Sequence, residues 1–254
     1  MYGCARNGAG AYRGSTVRPR LLDVFSGAGG CSVGYHRAGY DVVGIDNEPH
    51  PDYPYVFLLG DAIAYLEELV QTGEVAGFRP DVVHASPPCK RFTDLAALSE
   101  DTDERHPDLL TPTRELLQAW GGTYVIENVE GAPMRDPLLL CGSEFGLGAT
   151  CRDGRYRQLR RHRLFESNAF LMGPGCWHNG QQVVGVYGAH PDREGGWLRP
   201  NGMSRGVKAT SVADAQDALG IDWMTQWEDL ADAIPPAMTE HIGDQLLSQL
   251  AMAA

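Results

Sequence analysis

Five short runs of apolar and β-branched residues recur through the first half of the chain, and each stops at a polar or conformationally special residue. They are "RLLDVF" (20–25), "YDVVGID" (40–46), "YVFLLGD" (55–61), "DVVHASPP" (81–88) and "TYVIENV" (123–129). Between them lie stretches with helical spacing, among them "CSVGYHRAG", "AIAYLEELVQ" and "PDLLTPTRELLQAWG". Strands alternating with helices imply right-handed βαβ crossovers, so the chain is predicted to be α/β, a doubly wound sheet with helices on both faces. Ligands of such sheets sit beyond the carboxyl ends of the strands. Those ends read "DVFSGAGG", "GIDNE", "LGDA", "ASPPC" and "IENV". Reactive and glycine-rich residues therefore converge where the architecture puts a site.

The pattern loosens after about residue 150. "GPGCWHNGQQ" and "GAHPDREGGWLRPNGMSRG" read as loops around a short strand, "VVGVYG" (183–188). "SVADAQDALG" (211–220) is a predicted helix with Ser211 as N-cap, and "PPAMTEHIGDQLLSQLAMA" a terminal one begun by prolines. The expected division is a flexible basic arm at 1–19, a catalytic domain at 20–163, a small loop-rich region at 164–229, and a C-terminal helix at 230–254 returning to the domain.

No run of about 18 apolar residues exists, so no membrane span is expected. Six cysteines without CxxC spacing argue against a disulfide framework and fit a reducing cytoplasm. "CWH" offers two metal ligands, Cys176 and His178, but no matching pair stands nearby in sequence, and the expectation is ordinary packing without metal. The formal charge of −12 disfavours nucleic-acid binding over the whole surface. Against it, "RDGRYRQLRRHR" between Arg152 and Arg163 holds six arginines and one aspartate, an expected anion-facing patch.

Gly27, Gly29 and Gly30 stand at a strand-to-helix turn, where glycine lets backbone approach a ligand. The spacing departs from GxGxxG, so a pyrophosphate dinucleotide is not the first choice. Asp46, followed by Asn47, is placed for two ribose hydroxyls, and Asp61, followed by Ala62, for an adenine amino group. S-adenosylmethionine has one adenosine and no long phosphate chain, and satisfies all three positions. Other doubly wound proteins also end strands in Gly and Asp.

Cys89 follows Pro87 and Pro88, which fix φ and stiffen the loop that presents the thiol. Lys90 and Arg91 favour the thiolate, the nucleophilic form. Glu127 and Asn128, ending the next strand, are expected beside this loop. A thiolate, a carboxyl group and arginines around one cavity suggest covalent catalysis on a polar heteroaromatic ring.

With these motifs in hand, the chain resembles the cytosine-C5 DNA methyltransferases, in particular their short, phage-type members. "DVFSGAGG" matches the family's cofactor loop, "SPPC" its nucleophile loop, "IENV" its Glu-Asn-Val motif and "RHR" (161–163) its Arg-x-Arg motif. "LADAIPPAMTEHIG" (230–243) resembles its C-terminal cofactor-side motif, and the order is the family's over roughly residues 20–245. The resemblance implies a Rossmann-like S-adenosylmethionine-dependent sheet with a much reduced target-recognition region. It implies that Cys89 adds to cytosine C6, that Glu127 holds N3 and N4, and that Arg161 and Arg163 orient the base, Glu127 or the phosphodiester. Phe25, Asp232 and Ala233 join the cofactor contacts, and the expected partner is duplex DNA with one cytosine flipped out.

Lys90 stands where the family usually has Gln, Leu159 two residues before Arg-x-Arg where it has another Gln, and Ala231-Asp232 where it has Gly-Asn. Residues 164–229 must also do the work of a normally long recognition region, so recognition should be short, loose or supplied by a separate specificity or restriction partner. Two alternatives stay open. One keeps the C5 chemistry on single-stranded nucleic acid, tRNA or a free cytosine nucleotide; the other is a catalytically silent binding protein of the same fold.

Overall fold

The structure, a computed structural model, describes residues 17–88, 107–176, 178, 180–189 and 207–253. Cys89, Lys90, Arg91 and most of the N-terminal arm lie outside the described residues. Five parallel strands open the fold: β1 (Arg20–Val24), β2 (Asp41–Asp46), β3 (Val56–Leu59), β4 (Val82–Ala85) and β5 (Thr123–Asn128). With β6 (Leu138–Cys141) and β9 (His162–Ser167) they form one seven-stranded sheet in the order β3-β2-β1-β4-β5-β9-β6. Strand β9 runs antiparallel to both β5 and β6. The strand order reverses beside β1, so the crevice above β1 and β4 is the natural ligand position.

The apolar runs are long because both faces of this sheet are covered. Neighbouring residues along a strand point to opposite faces. Leu22, Val43, Val83 and Ile126 pack on one side with α2 (Ala62–Thr72) and α3 (Leu110–Trp120). Leu21, Val42, Val82 and Val125 pack on the other with α1 (Gly30–Ala38) and α6 (Pro236–Ala253). A Cβ on Gly30 would stand 2.4 Å from the carbonyl oxygen of Ile234, so glycine is what lets the C-terminal segment reach the start of α1.

A smaller sheet has the order β11-β10-β8-β7, built from β7 (Gly148–Thr150), β8 (Tyr156–Leu159), β10 (Val183–Gly185) and β11 (Val207–Lys208). It draws on residues before 163 as well as after, while β9 continues the main sheet to Ser167. Helices α4 (Val212–Leu219) and α5 (Trp227–Asp232) share its core through Ala215, Leu219, Trp227 and Leu230. Ser211 caps α4 as expected, its Oγ accepting from the Asp214 N–H at 3.1 Å. No described helix is long and apolar enough to cross a membrane.

Candidate active site

Strand β1 ends in a turn with three left-handed residues close together, Phe25 at φ 59°, Gly27 at φ 49° and Gly29 at φ 90°. A non-glycine residue at positive φ is uncommon and costs roughly 1 kcal/mol or more, so the turn is held by its surroundings. The Gly27 N–H donates to Asp46 Oδ2 at 2.9 Å, and Trp223 Nε1 donates to the Ala28 carbonyl at 2.9 Å. Phe25 packs on the apolar layer beneath. Among the described residues no atom lies within 4 Å of the position a Cβ on Gly27 would take, so the turn is open on that side. Beside it Ser26 Oγ is buried with no hydrogen-bond partner among the described residues.

The other expected cofactor positions line the same end of the sheet. Asp46 accepts from the Gly27 and Glu48 N–H groups, each of its oxygens keeping a second lone pair. Asn47 is exposed. Asp61 caps α2, its Oδ1 accepting from Ile63 N at 2.8 Å, and Ala62 is buried as the first residue of that helix. His50 bridges to α5, just before the C-terminal motif, with Nδ1 3.2 Å from Asp229 and Nε2 3.9 Å from Asp46. Asp232 ends α5 exposed, and Ala233 is buried next to it.

Above β4 and β5 the second half of the site assembles. Ala85 registers with Ile126, so Glu127 and Asn128 rise beside the segment that leads to Cys89. Asn128 Nδ2 donates to the Pro87 carbonyl at 3.0 Å. Glu127 is buried, and Arg163 Nε lies 3.0 Å from its Oε1. That contact is an ion pair rather than an aligned hydrogen bond, because Oε1 has no hydrogen-bond partner among the described residues. Burial pushes the Glu127 carboxyl above the ordinary range, opposed by Arg163, a hydrogen bond from Ser86, and Arg161. A carboxyl group poised this way can hold a proton and offer it to a ring nitrogen.

Arg161 is placed differently from Arg163. Its guanidinium is buried and donates to the carbonyls of Val186 at 2.7 Å and Ala231 at 2.6 Å, joining β9 to the small sheet and to α5. Arg157 is likewise spent on Asp153, in a bidentate pair at 2.7 and 2.6 Å. The arginine-rich stretch is therefore not a uniform anion-facing surface. Arg157, Arg161 and Arg163 make internal contacts, whereas Arg152 and Arg155 are exposed.

One support for the site was invisible in the sequence reading. Tyr35 Oη meets His84 Nδ1 at 3.0 Å, and His84 Nε2 meets Ser86 Oγ at 3.0 Å. Ser86 also helps lower the Glu127 pKa, so a chain of side chains runs from α1 through β4 toward the carboxyl group. Burial lowers His84 to about 3, keeping its imidazole neutral and able to donate at one nitrogen and accept at the other. The one legible hint was the histidine inside an apolar run.

The chain matches no family model. Among curated proteins, M.AquIA of Picosynechococcus, named a Type II methyltransferase, is 28% identical over 126 residues, which is 45% of this chain and 50% of that protein. M.XorII of Xanthomonas oryzae pv. oryzae, also named a Type II methyltransferase, is 29% identical over 124 residues, 45% of this chain and 29% of its own length. The matched stretch thus spans half or less of each relative. Among solved structures, a protein assigned as a DNA modification methyltransferase and encoded within an E. coli prophage superposes with a TM-score of 0.57 at 14% identity. The superposition covers 91% of this chain and 99% of that one. The Entamoeba histolytica methyltransferase EhMeth gives 0.57 at 12% identity, over 92% and 99% of the two chains. The S. pombe Dnmt2 methyltransferase gives 0.52 at 14% identity, again over 92% and 99%. The fold is one these methyltransferases share. In that fold the glycine turn and the Glu127–Arg163 pair stand at the same, carboxyl-terminal edge of one sheet.

Proposed function

We propose that this protein is an S-adenosylmethionine-dependent methyltransferase acting on C5 of cytosine in DNA, with Cys89 as the covalent nucleophile. The observation that carries the reading is the anchoring of the Cys89 loop to the Glu-Asn pair. Asn128 grips the Pro87 carbonyl while its neighbour Glu127 is buried against Arg163. The curated relatives, both named Type II methyltransferases, and the shared fold support methyl transfer.

The cofactor fits the residues present. Among the described residues Gly27 leaves the turn open and Ser26 Oγ has no hydrogen-bond partner, and Asp46 and Asp61 retain acceptor capacity. Phe25, Gly29, Gly30, Asn47, Ala62, Asp232 and Ala233 surround this end. When bound, S-adenosylmethionine supplies an electrophilic methyl group on a sulfonium.

The chain's own residues then do the following. The Cys89 thiolate forms a bond to C6, and the C5–C6 π electrons become available at C5. Glu127 holds N3 and the exocyclic amine and gives a proton toward N3, which offsets the charge of the adduct. Arg163 keeps that carboxyl group oriented. Arg161 positions the backbone at Val186 and Ala231. After C5 gains its methyl, loss of the C5 proton to a base re-forms the double bond, expels the thiolate, and lets N3 return its proton to Glu127. Duplex substrate is read by flipping the cytosine out, at roughly a few kcal/mol.

The test is transfer of a labelled methyl group to duplex, single-stranded DNA, tRNA and cytidine nucleotides, with the product base identified. Formation of 5-methylcytosine in duplex DNA supports the reading. Methylation of another substrate at C5 moves the substrate and keeps the chemistry. Methylation at N4 or on adenine, or no transfer to any substrate by folded, cofactor-binding protein, overturns it.

A further inference from the structure

Beside the candidate active site, the fold gathers four side chains that are scattered in sequence. Cys141 ends β6 and registers with His162, which opens β9, and the loop before β10 brings Cys176 and His178 onto this pair. Their four ligand atoms all lie within 4.8 Å of one another, the one such group of His, Cys, Asp or Glu among the described residues. We propose that Cys141, His162, Cys176 and His178 bind a single Zn²⁺ ion as a structural site.

The spacing is what a tetrahedral ion requires. Zinc bonds of about 2.3 Å to sulfur and about 2.0–2.1 Å to nitrogen set N···S edges of about 3.5 Å. Cys141 Sγ lies 3.5 Å from His178 Nε2, and Cys176 Sγ lies 3.4 Å from His162 Nε2. The Cys176–His178 pair, at 2.9 Å, has to widen by about 0.6 Å to reach the same edge. The two imidazoles stack, 5.1 Å apart at 13°, with both Nε2 atoms turned toward the sulfurs.

Surrounding groups suit metal ligation too. His162 Nδ1 meets Glu130 Oε2 at 2.8 Å, the carboxylate contact that fixes the tautomer of a metal-bound histidine and raises its basicity. Ser143 Oγ donates to Cys141 Sγ at 3.2 Å. Two thiolates with two imidazoles select zinc over the hard cations, and four protein ligands leave no open position for catalysis. Such an ion ties the segment before β10 to β9, one residue from Arg163.

Full-length protein purified under reducing conditions with zinc in the medium should carry about one zinc per chain by mass spectrometry of the metal. Cobalt added to metal-stripped protein should give the visible bands of tetrahedral thiolate coordination. Cys176→Ser and His178→Ala should lose both signatures, and Glu130→Gln, at a solvent-facing position, should weaken zinc binding about tenfold to a hundredfold. Folded, reduced wild-type protein that takes up neither metal overturns the proposal, as does metal bound equally by the ligand variants. A Cys141–Cys176 disulfide in protein purified without oxidant, with no metal present, overturns it as well.

Discussion

The side-chain amide of Asn128 holds the carbonyl of Pro87, across the junction of β4 and β5, at 3.0 Å. That single bond fixes the segment entering the Cys89 loop to the strand that carries Glu127. Leaving the Pro87 carbonyl without its buried partner costs roughly 1–3 kcal/mol. Asn128→Ala should therefore fold, bind cofactor with unchanged affinity, and lose about a hundredfold in single-turnover methylation through misplacement of the loop. Cofactor titration calorimetry beside rapid-quench kinetics checks this; an unchanged rate contradicts it.

Glu127 is kept near its working state by two opposed effects, burial raising its pKa and Arg163 lowering it. Replacing Arg163 with Leu removes the lowering partner and leaves a buried, unpaired carboxyl group. The limb of the pH–rate profile assigned to Glu127 should move to higher pH. Glu127→Gln should abolish that limb and cost about 10²–10⁴ in rate. A limb that stays in place in Arg163→Leu removes Glu127 from the assignment.

Asp23 sits in β1 with none of its surface exposed, and Ser32 Oγ donates to it at 2.5 Å. Burial lifts its carboxyl from 3.8 to about 7, against the hydrogen bond from Ser32. Between these values the folded chain holds more protons than the unfolded one, so stability falls as pH rises through the window and is level above it. Asp23→Asn has no such titration. Its stability relative to wild type should rise by a few kcal/mol across the window, measured by urea unfolding at several pH values. A pH-independent difference contradicts the assignment.

Two glycines of one turn should fail in different ways. Gly30→Ala drives a Cβ against the Ile234 backbone and should cost about 1–3 kcal/mol of stability. Gly27→Ala meets no atom among the described residues, so its cost is that of the left-handed φ, roughly 1 kcal/mol, while the new methyl intrudes on the open face of the turn. Thermal melts should rank Gly30→Ala as the less stable, and cofactor binding should rank Gly27→Ala as the weaker binder relative to its stability. The reverse order would place the cofactor elsewhere.

The parallel sheet was legible because it is buried on both faces, which writes Leu21-Leu22, Val42-Val43 and Val82-Val83 as unbroken apolar pairs. Adjacency of Glu127 and Asn128 to the Pro87 segment followed from consecutive strands pairing. The arginine-rich stretch misled because short strands alternate their faces. Arg157 and Leu159 point inward from β8, so a run of cations in sequence is split between interior and surface. The Cys141–His162 pair was hidden for another reason: antiparallel register across β6 and β9 joins residues 21 apart, a distance no spacing motif records. His84 was hidden too, its meaning lying wholly in Tyr35 and Ser86.

The most direct measurement is covalent trapping on duplex DNA containing 5-fluorocytosine, with S-adenosylmethionine, for wild type and Cys89→Ser. Fluorine at C5 blocks the final loss of a proton, so the attacking sulfur stays bonded to C6. The account predicts a protein–DNA adduct that requires both the cofactor and Cys89. Absence of any adduct from folded, cofactor-binding protein that methylates the unfluorinated duplex, or an adduct undiminished in Cys89→Ser, would contradict it.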